Sequence, residues 1–284
     1  MRSSRFSRKS AVFAKHLVML SIVVFTAMPL VYLVSSAFKP MDELFVFPPR
    51  FFVRRPTLEN FSALFAVMQD SVVPFSRYFF NSAFVSATSV FLTLVVCSLG
   101  VYAMTKMRLP GKTAIFNIIV ASLMFSAPIA QISNFMIINK LGLINTYGAL
   151  ILPKVAGAYY FFLMRQNMMQ IPDSLLEAAR IDGCSPLRIF WSIVLPLSRP
   201  VIATVVVFAF VANWNDFYAP MIYINLEPLK TLPLALQSLQ GGAGQVARTG
   251  AFAASALLTT APTVIIFVAM QSKVVKTMAY TGIK

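Results

Sequence analysis

The sequence predicts an all-α, polytopic membrane protein with six transmembrane helices. Apolar residues make up 58% of its 284 residues and charged residues only 12%, whereas a soluble domain has about 45–50% apolar and about 25% charged residues. The apolar residues are collected in runs that reach the ~20 residues needed to cross a bilayer as a helix. The strands of a membrane β-barrel would instead alternate apolar and polar residues, so these runs predict helices.

The six predicted helices correspond to six apolar runs. Four runs contain no charged residue, and two weaker runs contain Lys154 or end near Asp216. The first run is longer than the ~7–15 apolar residues of a cleaved signal peptide, so we expect it to remain as a helix. The predicted helices lie at about 17–38, 79–104, 113–136, 146–165, 200–221 and 250–272, after an N-terminal segment, 1–16.

The distribution of charge predicts the orientation. A formal net charge of +15 would suggest a nucleic-acid partner in a soluble protein, but here the basic residues follow the membrane topology. With the N-terminus inside, the inner segments hold 15 basic and three acidic residues, and the outer segments hold eight basic and six acidic residues. Basic residues concentrate on the cytoplasmic side. We therefore expect a multi-pass protein of the bacterial inner membrane with cytoplasmic termini and no nucleic-acid partner.

The outer segment 37–78 is rich in phenylalanine and proline. Such a segment can form a loop that caps the helix bundle at the membrane interface. It can also form a surface that meets a partner outside the membrane. The sequence leaves both alternatives open.

The inner segment 166–199 predicts two short helices joined by a glycine turn. Asp173 is expected to cap the first helix, and Gly183 to follow its end, where glycine adopts a left-handed conformation. Ser185 and Pro186 fit the N-cap and the first position of the second helix. Apolar residues at helical spacing predict that one face of this helix consists of Leu187, Phe190, Trp191 and Val194.

Residues that carry most enzyme chemistry are scarce. The chain has one histidine and two cysteines, so no metal site or catalytic cluster built on these residues is expected. Gly111 and Lys112 resemble the end of a phosphate-binding loop, but that loop needs a glycine five residues before its second glycine. Lys106 occupies that position. We therefore predict that the chain is not an enzyme and holds no cofactor, metal or nucleotide of its own.

The 166–199 segment carries a motif with a known counterpart. Glu177-Ala178-Ala179, Asp182-Gly183, Phe190, Leu195-Pro196-Leu197 and Pro200 resemble the EAA loop of bacterial ABC importer permeases. We refer to 166–199 as the EAA segment. The resemblance covers about 15–284. It departs at the C-terminal tail, where only Thr281-Gly282-Ile283-Lys284 remains of the family's pattern, so a tail contact with the ATPase is less well supported than the loop contact.

Further features narrow the resemblance to the carbohydrate branch of these permeases. They are the six-helix layout, the 213–217 sequence at the outer end of the fifth helix, and Leu232-Pro233-Leu234 followed by a glycine-rich run. In this respect the chain is similar to the second permease of the maltose system. Lys154 and the arginines of the outer segment also make it similar to the permease of an acidic-polysaccharide (alginate) importer.

The resemblance implies a fold, a function and partners. The fold would be that of a type I ABC importer permease, with a permease domain at 17–284 that forms half of a translocation pathway. The implied partners are a second permease, two copies of an ATPase and a periplasmic binding protein that delivers an oligosaccharide. ATP and Mg²⁺ would be bound by the ATPase.

The resemblance also implies which residues couple the permease to the ATPase: Glu177, Ala178, Ala179, Asp182 and Gly183. The alanines would allow the helix to seat closely, and Gly183 would permit the chain to reverse. The two acidic side chains would pair with basic groups of the ATPase. The alternative is that Gly183 only ends a helix and that Glu177 only faces solvent.

Candidate residues of the substrate path are chosen by their chemistry. Lys154 lies about eight residues from the outer end of the fourth span, or ~12 Å along a helix, and a charge at that depth usually faces water or a partner. It could instead extend to the outer surface. Amide and aromatic side chains suit the hydroxyl edges and apolar faces of sugars, although each could simply pack the bundle. These candidates are Gln131, Asn134, Tyr159, Tyr160, Asn213, Trp214 and Asn215.

The substrate and the energy source have alternatives. An acidic, alginate-like oligosaccharide, a neutral oligosaccharide and a glycerol phosphate all remain admissible. The alternative function is a secondary, ion-coupled transporter, a class that commonly uses acidic residues within the membrane. Here no acidic residue lies deep in a predicted span, and Asp216 is the one that comes nearest.

Overall fold

The computed structural model describes residues 3–69, 73–125, 127–238 and 248–281. Within these ranges the regular secondary structure is helical throughout. In chain order the α-helices α1 to α15 are Ser3–Ala37, Met41–Leu44, Glu59–Gln69, Phe75–Lys106, Lys112–Ser122, Ala127–Lys140, Tyr147–Val155, Ala158–Met168, Asp173–Ile181, Pro186–Ile189, Leu195–Leu197, Arg199–Trp214, Tyr218–Tyr223, Leu232–Ser238 and Thr249–Thr281. A π-helical turn, Phe190–Val194, joins α10 to α11, and a 3₁₀ turn, Glu227–Leu229, precedes α14.

Four helical stretches among the described residues are long and apolar enough to cross a membrane. They are Val12–Ala37, Phe75–Lys106, Tyr147–Met168 and Thr249–Ser272. A fifth is obtained if Pro186–Leu197 and Arg199–Trp214, which meet at an angle of 76°, are taken as one bent span. The fold is therefore that of a polytopic helical membrane protein.

The third predicted span, 113–136, is not one helix. Helix α5 ends at Ser122 and α6 begins at Ala127, and α5 alone has only 11 residues. Pro128 has no amide hydrogen, so it cannot continue a helical hydrogen-bond ladder from the preceding turn. The six predicted spans thus correspond to four long helical stretches and one bent pair of helices. The number differs because a run of apolar residues does not show where its helix is interrupted.

The fourth and fifth predicted spans also contain breaks. The fourth, 146–165, consists of α7 and α8, which are separated by Ala156 and Gly157. The fifth, 200–221, is helical to Trp214 in α12, and the chain then turns before α13.

The chain divides into two compact units, of which the first comprises residues up to 70 together with 239–260. In this unit buried polar groups fix the chain after α1. Asn60 donates from Nδ2 to the carbonyls of Ala37 (3.0 Å) and Lys39 (2.7 Å). Lys39 is itself buried and donates to the carbonyl of Arg50 at 2.5 Å. Part of the predicted outer segment is therefore held by its own polar contacts, while Phe47 and Phe52 remain exposed.

The second unit, 71–238 and the residues from 261, is organised around α4. Helices α7, α8, α12 and α14 all pack against α4. Five small polar residues on α4 are buried: Ser82, Ser86, Ser89, Thr93 and Ser98. Small residues allow membrane helices to approach closely, which explains why α4 can hold so many neighbours.

Candidate coupling segment and substrate-path residues

The first helix of the EAA segment, α9, has two distinct faces. Leu176 and Ala179 are buried in a core that α4, α8 and α12 share, whereas Glu177 and Ala178 are exposed. Successive residues of an α-helix are rotated by about 100°, so the three residues of the motif cannot share one face. Ala179 therefore packs within this chain, and only Glu177 and Ala178 are free to meet another protein.

Lys106, the last residue of α4, holds α9 in place. Its ammonium group donates to the carbonyl of Ile171 at 2.6 Å and to Oδ1 of Asp173 at 2.7 Å. Its own carbonyl accepts a hydrogen bond from the Arg180 guanidinium at 3.1 Å. The bond from Lys106 and its charge hold the pKa of the Asp173 carboxyl below its usual value. Both ends of α9 are thus bound to one residue of α4.

The predicted N-cap of α9 is wrong by one position. Pro172 occupies the cap, and Asp173 is the first helical residue. The Asp173 carboxylate is engaged by Lys106 rather than by the amides of its own helix. A local capping rule could not anticipate this, because Lys106 is 67 residues away in the sequence.

The glycine turn after α9 is confirmed. Gly183 has φ of +78°, and its amide donates to the carbonyl of Arg180 at 3.0 Å. The next amide, that of Cys184, donates to the carbonyl of Ala179 at 2.9 Å. Ser185 then accepts a hydrogen bond from the amide of Arg188 and caps α10, with proline at its first position, as predicted. Residue-local rules suffice here because every contact is local.

The predicted apolar face of the second helix is only partly correct. Phe190 and Val194 are buried, but Leu187 and Trp191 are 63% and 60% exposed. Trp191 lies in the π-helical turn, in which the amide of Leu195 donates to the carbonyl of Phe190, five residues back, whereas Leu187 lies before this turn, in α10. A spacing rule that assumes 3.6 residues per turn fails where a turn holds more residues. The exposed Trp191 is therefore available to lipid or to another chain.

Lys154 forms an ion pair that the sequence analysis missed. Its ammonium lies 2.7 Å from Oδ2 of Asp216, and each of the two side chains is 21% exposed. The other carboxylate oxygen of Asp216 accepts from the amides of Tyr218 (3.0 Å) and Ala219 (3.2 Å), at the start of α13. Lys154 thus carries no unpaired charge. The sequence did contain a signal for this ion pair. Of the two weaker apolar runs, one contains Lys154 and the other ends near Asp216, and these two residues have opposite charges.

The other substrate-path candidates have different environments. Asn213 is buried and donates to the carbonyl of Ala209 at 2.7 Å. Asn215 is exposed and donates to the carbonyl of Val211 at 3.0 Å. Each of these amides uses one of its two N–H donors on a carbonyl of the preceding helical turn.

The aromatic candidates divide into a packed and an exposed set. Trp214 is buried, and its ring lies 5.6 Å from each of the rings of Phe79 and Phe210. Tyr159 is 46% exposed, and its ring lies 5.8 Å from that of the partly buried Tyr160. Trp214 is thus a packing residue of this chain, whereas Tyr159 has a face that a ligand can reach.

The two remaining candidates lie on α6. Gln131 and Asn134 are three residues apart on that helix, and both are partly exposed. Residues at this spacing share a helix face, so the two amides lie on the same side of α6. The structure thus places Gln131 and Asn134 on one helix face, and it pairs Lys154, the charged candidate, with Asp216, which the sequence analysis had not proposed for the path.

Comparison with known proteins identifies the family. Over residues 8–280 the chain matches the family described as the inner membrane component of binding-protein-dependent transport systems. The chain belongs to this family. It is similar to the arabinooligosaccharides transport system permease protein AraQ of Halalkalibacterium halodurans, with 30% identity over 262 residues that cover 90% of each chain.

Two further comparisons extend this result. The permease is 33% identical over 203 residues to the sn-glycerol-3-phosphate transport system permease protein UgpE of Yersinia enterocolitica, covering 71% of this chain and 72% of that one. Its fold is similar to a chain in the crystal structure of a bacterial ABC transporter involved in the import of the acidic polysaccharide alginate. That match has a TM-score of 0.81 and 20% identity, and it covers 94% of this chain and 97% of the other. The permease is therefore a transport component and not an enzyme.

Proposed function

We propose that this permease forms half of the translocation pathway of an ATP-driven oligosaccharide importer, and that α9 carries its contact with the ATPase. The observation that supports this most is the arrangement of α9. The buried Leu176 and Ala179 and the bonds to Lys106 fix the helix to the permease, while Glu177 and Ala178 face outward. A firmly attached helix with an exposed motif suits a docking element.

The proposal includes a set of partners. A second permease would complete the pathway, and two copies of an ATPase would bind ATP and Mg²⁺. A periplasmic binding protein would deliver the substrate, in keeping with the family's description. Asp182 and Gly183 complete the proposed coupling site, because Asp182 is exposed at the end of α9 and Gly183 reverses the chain.

We propose an oligosaccharide as the substrate, because the arabino-oligosaccharide permease covers nine-tenths of this chain. The Lys154–Asp216 pair has no net charge, so it gives no preference for an acidic oligosaccharide over a neutral one. The amide and aromatic path candidates that are at least partly exposed, and so could meet a sugar ring, are Gln131, Asn134, Tyr159, Tyr160 and Asn215. The ion-coupled alternative is less well supported, because the carboxylate nearest to the membrane interior, that of Asp216, is already paired.

The orientation can be tested with reporter fusions. We expect fusions after residues 60, 110, 185 and 235 to report outside, inside, inside and outside, because basic residues concentrate in the inner segments. Alkaline phosphatase activity and green fluorescence, measured on the same four sites, distinguish the two sides. An external signal at residue 185 would contradict the assignment of the EAA segment as the ATPase contact.

The coupling role can be tested by reversing one exposed charge. We expect Glu177→Lys to lower substrate-stimulated ATP hydrolysis by the purified complex by about thirtyfold, since removing one well-paired charge from an interface costs about 2 kcal/mol or more. The amount of permease in the membrane should not change, because Glu177 is exposed.

Glu59→Lys provides the matched control. Glu59 is an exposed glutamate like Glu177, but it lies in the first unit, at the start of α3. Glu59→Lys therefore makes the same charge reversal outside the EAA segment. We expect wild-type stimulation from this variant. Equal loss of stimulation in both variants, or in neither, would show that Glu177 has no specific role at the ATPase.

A further inference from the structure

A small cavity lies in the second unit, where α4 ends, α5 begins and α8 ends. Its volume is about 130 Å³, whereas one water molecule occupies about 30 Å³ in the liquid. The cavity therefore has room for a group of several heavy atoms. Its lining consists of two basic, two hydroxyl and two thioether side chains: Met104, Thr105, Lys112, Thr113, Arg165 and Met169.

The two basic residues are not neutralised within the described chain. The Arg165 guanidinium lies 3.7 Å from the ring centroid of Phe116, and a stacked guanidinium keeps its N–H groups free at its edge. Among the described residues, no carboxylate forms an ion pair with Lys112 or Arg165. Asp173, whose charge interacts with Lys112, is already bound by Lys106. The cavity thus presents two positive charges to any molecule that enters it.

The start of α5 adds backbone donors to the same place. The first hydrogen bond within this helix runs from the amide of Ile115 to the carbonyl of Gly111. The amides before Ile115 therefore have no acceptor in the helix, and two of them belong to Lys112 and Thr113, which line the cavity. A helix N-terminus also carries a partial positive charge. Together with the two side chains, these donors suit a tetrahedral anion.

The surroundings of the cavity are apolar on one side. No residue of α5 is buried within this chain, although the helix is apolar along its length. Ile118 is 71% exposed and Ile115 is 42% exposed. The cavity also lies where the apolar run of α4 gives way to the basic residues Lys106 and Arg108. In a membrane protein this is the level at which lipid headgroups meet the chain.

We propose that this cavity binds the phosphate group of an anionic phospholipid, with Lys112 and Arg165 as its ligands. The acyl chains of that lipid lie along the exposed face of α5. Basic recesses between membrane helices are suited to anionic headgroups, and this one combines charge, backbone donors and an adjoining apolar surface. None of the proposed coupling residues lines this cavity.

Lipid retention tests the proposal. The assembled transporter is purified from nanodiscs that contain phosphatidylcholine with or without phosphatidylglycerol, and native mass spectrometry counts the lipids that stay bound. We expect the wild-type complex to retain phosphatidylglycerol in preference to phosphatidylcholine. Arg165→Ala and Lys112→Ala should each lower this retention by about fivefold, whereas Arg165→Lys should largely preserve it because the charge remains.

Arg108→Ala is the matched control, since Arg108 is an exposed arginine of the α4–α5 connection that does not line the cavity. Its retention of phosphatidylglycerol should equal that of the wild type. Equal losses in Arg108→Ala and Arg165→Ala, or no preference for phosphatidylglycerol, would overturn the proposal. Inorganic phosphate is tested separately. Its binding by a complex that retains no phosphatidylglycerol would reassign the cavity to a soluble anion and also overturn the lipid site.

Discussion

Lys154→Met is expected to destabilise the purified transporter by about 2–4 kcal/mol, because it leaves the carboxylate of Asp216 unpaired inside the protein. Breaking a fully buried ion pair costs about 3–5 kcal/mol. The expected loss is smaller here because each side chain retains 21% exposure. The temperature of thermal unfolding in a fixed detergent measures the effect.

The double variant Lys154→Met/Asp216→Asn tests whether the unpaired carboxylate is the cause of the lost stability. Asparagine removes the unpaired charge but keeps an oxygen that can accept hydrogen bonds from the amides of Tyr218 and Ala219. We therefore expect the double variant to regain most of the lost stability. If it is as unstable as the single variant, the ion pair is not the cause.

The same variants address the substrate. If Lys154 contacts an acidic oligosaccharide during transport, uptake of that substrate should be slow in the double variant, although its stability has been restored. Uptake of a neutral oligosaccharide serves as the reference. Equal uptake of both substrates would show that the pair joins α7 to α13 without contacting the substrate.

Gly183→Pro is expected to weaken strongly the coupling between substrate and ATP hydrolysis. Proline requires φ near −65° and has no amide hydrogen, whereas Gly183 has φ of +78° and donates to the carbonyl of Arg180. The substitution should cost more than ~1 kcal/mol and misdirect α10 relative to α9. We expect substrate-stimulated ATPase activity to fall by about a hundredfold, with the permease still inserted in the membrane.

Gly142→Pro is a closely matched control. Gly142 has φ of +67°, donates from its amide to Asn139 at 3.0 Å, and has open space where a side chain would point, as does Gly183. It differs by lying between α6 and α7, outside the EAA segment. Its variant should retain coupling in the molecules that fold. Equal loss of coupling in both variants would indicate general damage rather than a role for the turn at Gly183.

Features that depend on neighbouring residues could be predicted from the sequence. The turn at Gly183 and the cap at Ser185 are stabilised by contacts within a few residues, so their residue types were sufficient. The motif around Glu177 was recognisable for the same reason, because its spacing is contained in one short segment. The apolar runs likewise predicted a helical membrane protein.

Features that depend on distant contacts or on a change of helical period could not be predicted. Lys106 meets Asp173, and Lys154 meets Asp216, across 67 and 62 positions of the chain. No local pattern specifies either pair. Trp191 was assigned to a buried face because the spacing rule assumes an α-helix, and the π-helical turn places it outside.

The attachment of α9 to Lys106 has a mechanical consequence. A helix that is bound to its neighbour at one point can rotate about that point. A helix that is bound at both ends transmits both translation and rotation to its neighbour. Asp173 and Arg180 fasten opposite ends of α9 to the same residue. We therefore expect a displacement of α9 that keeps these bonds to rotate the last turn of α4, the longest helix of the second unit's core, together with the short helix.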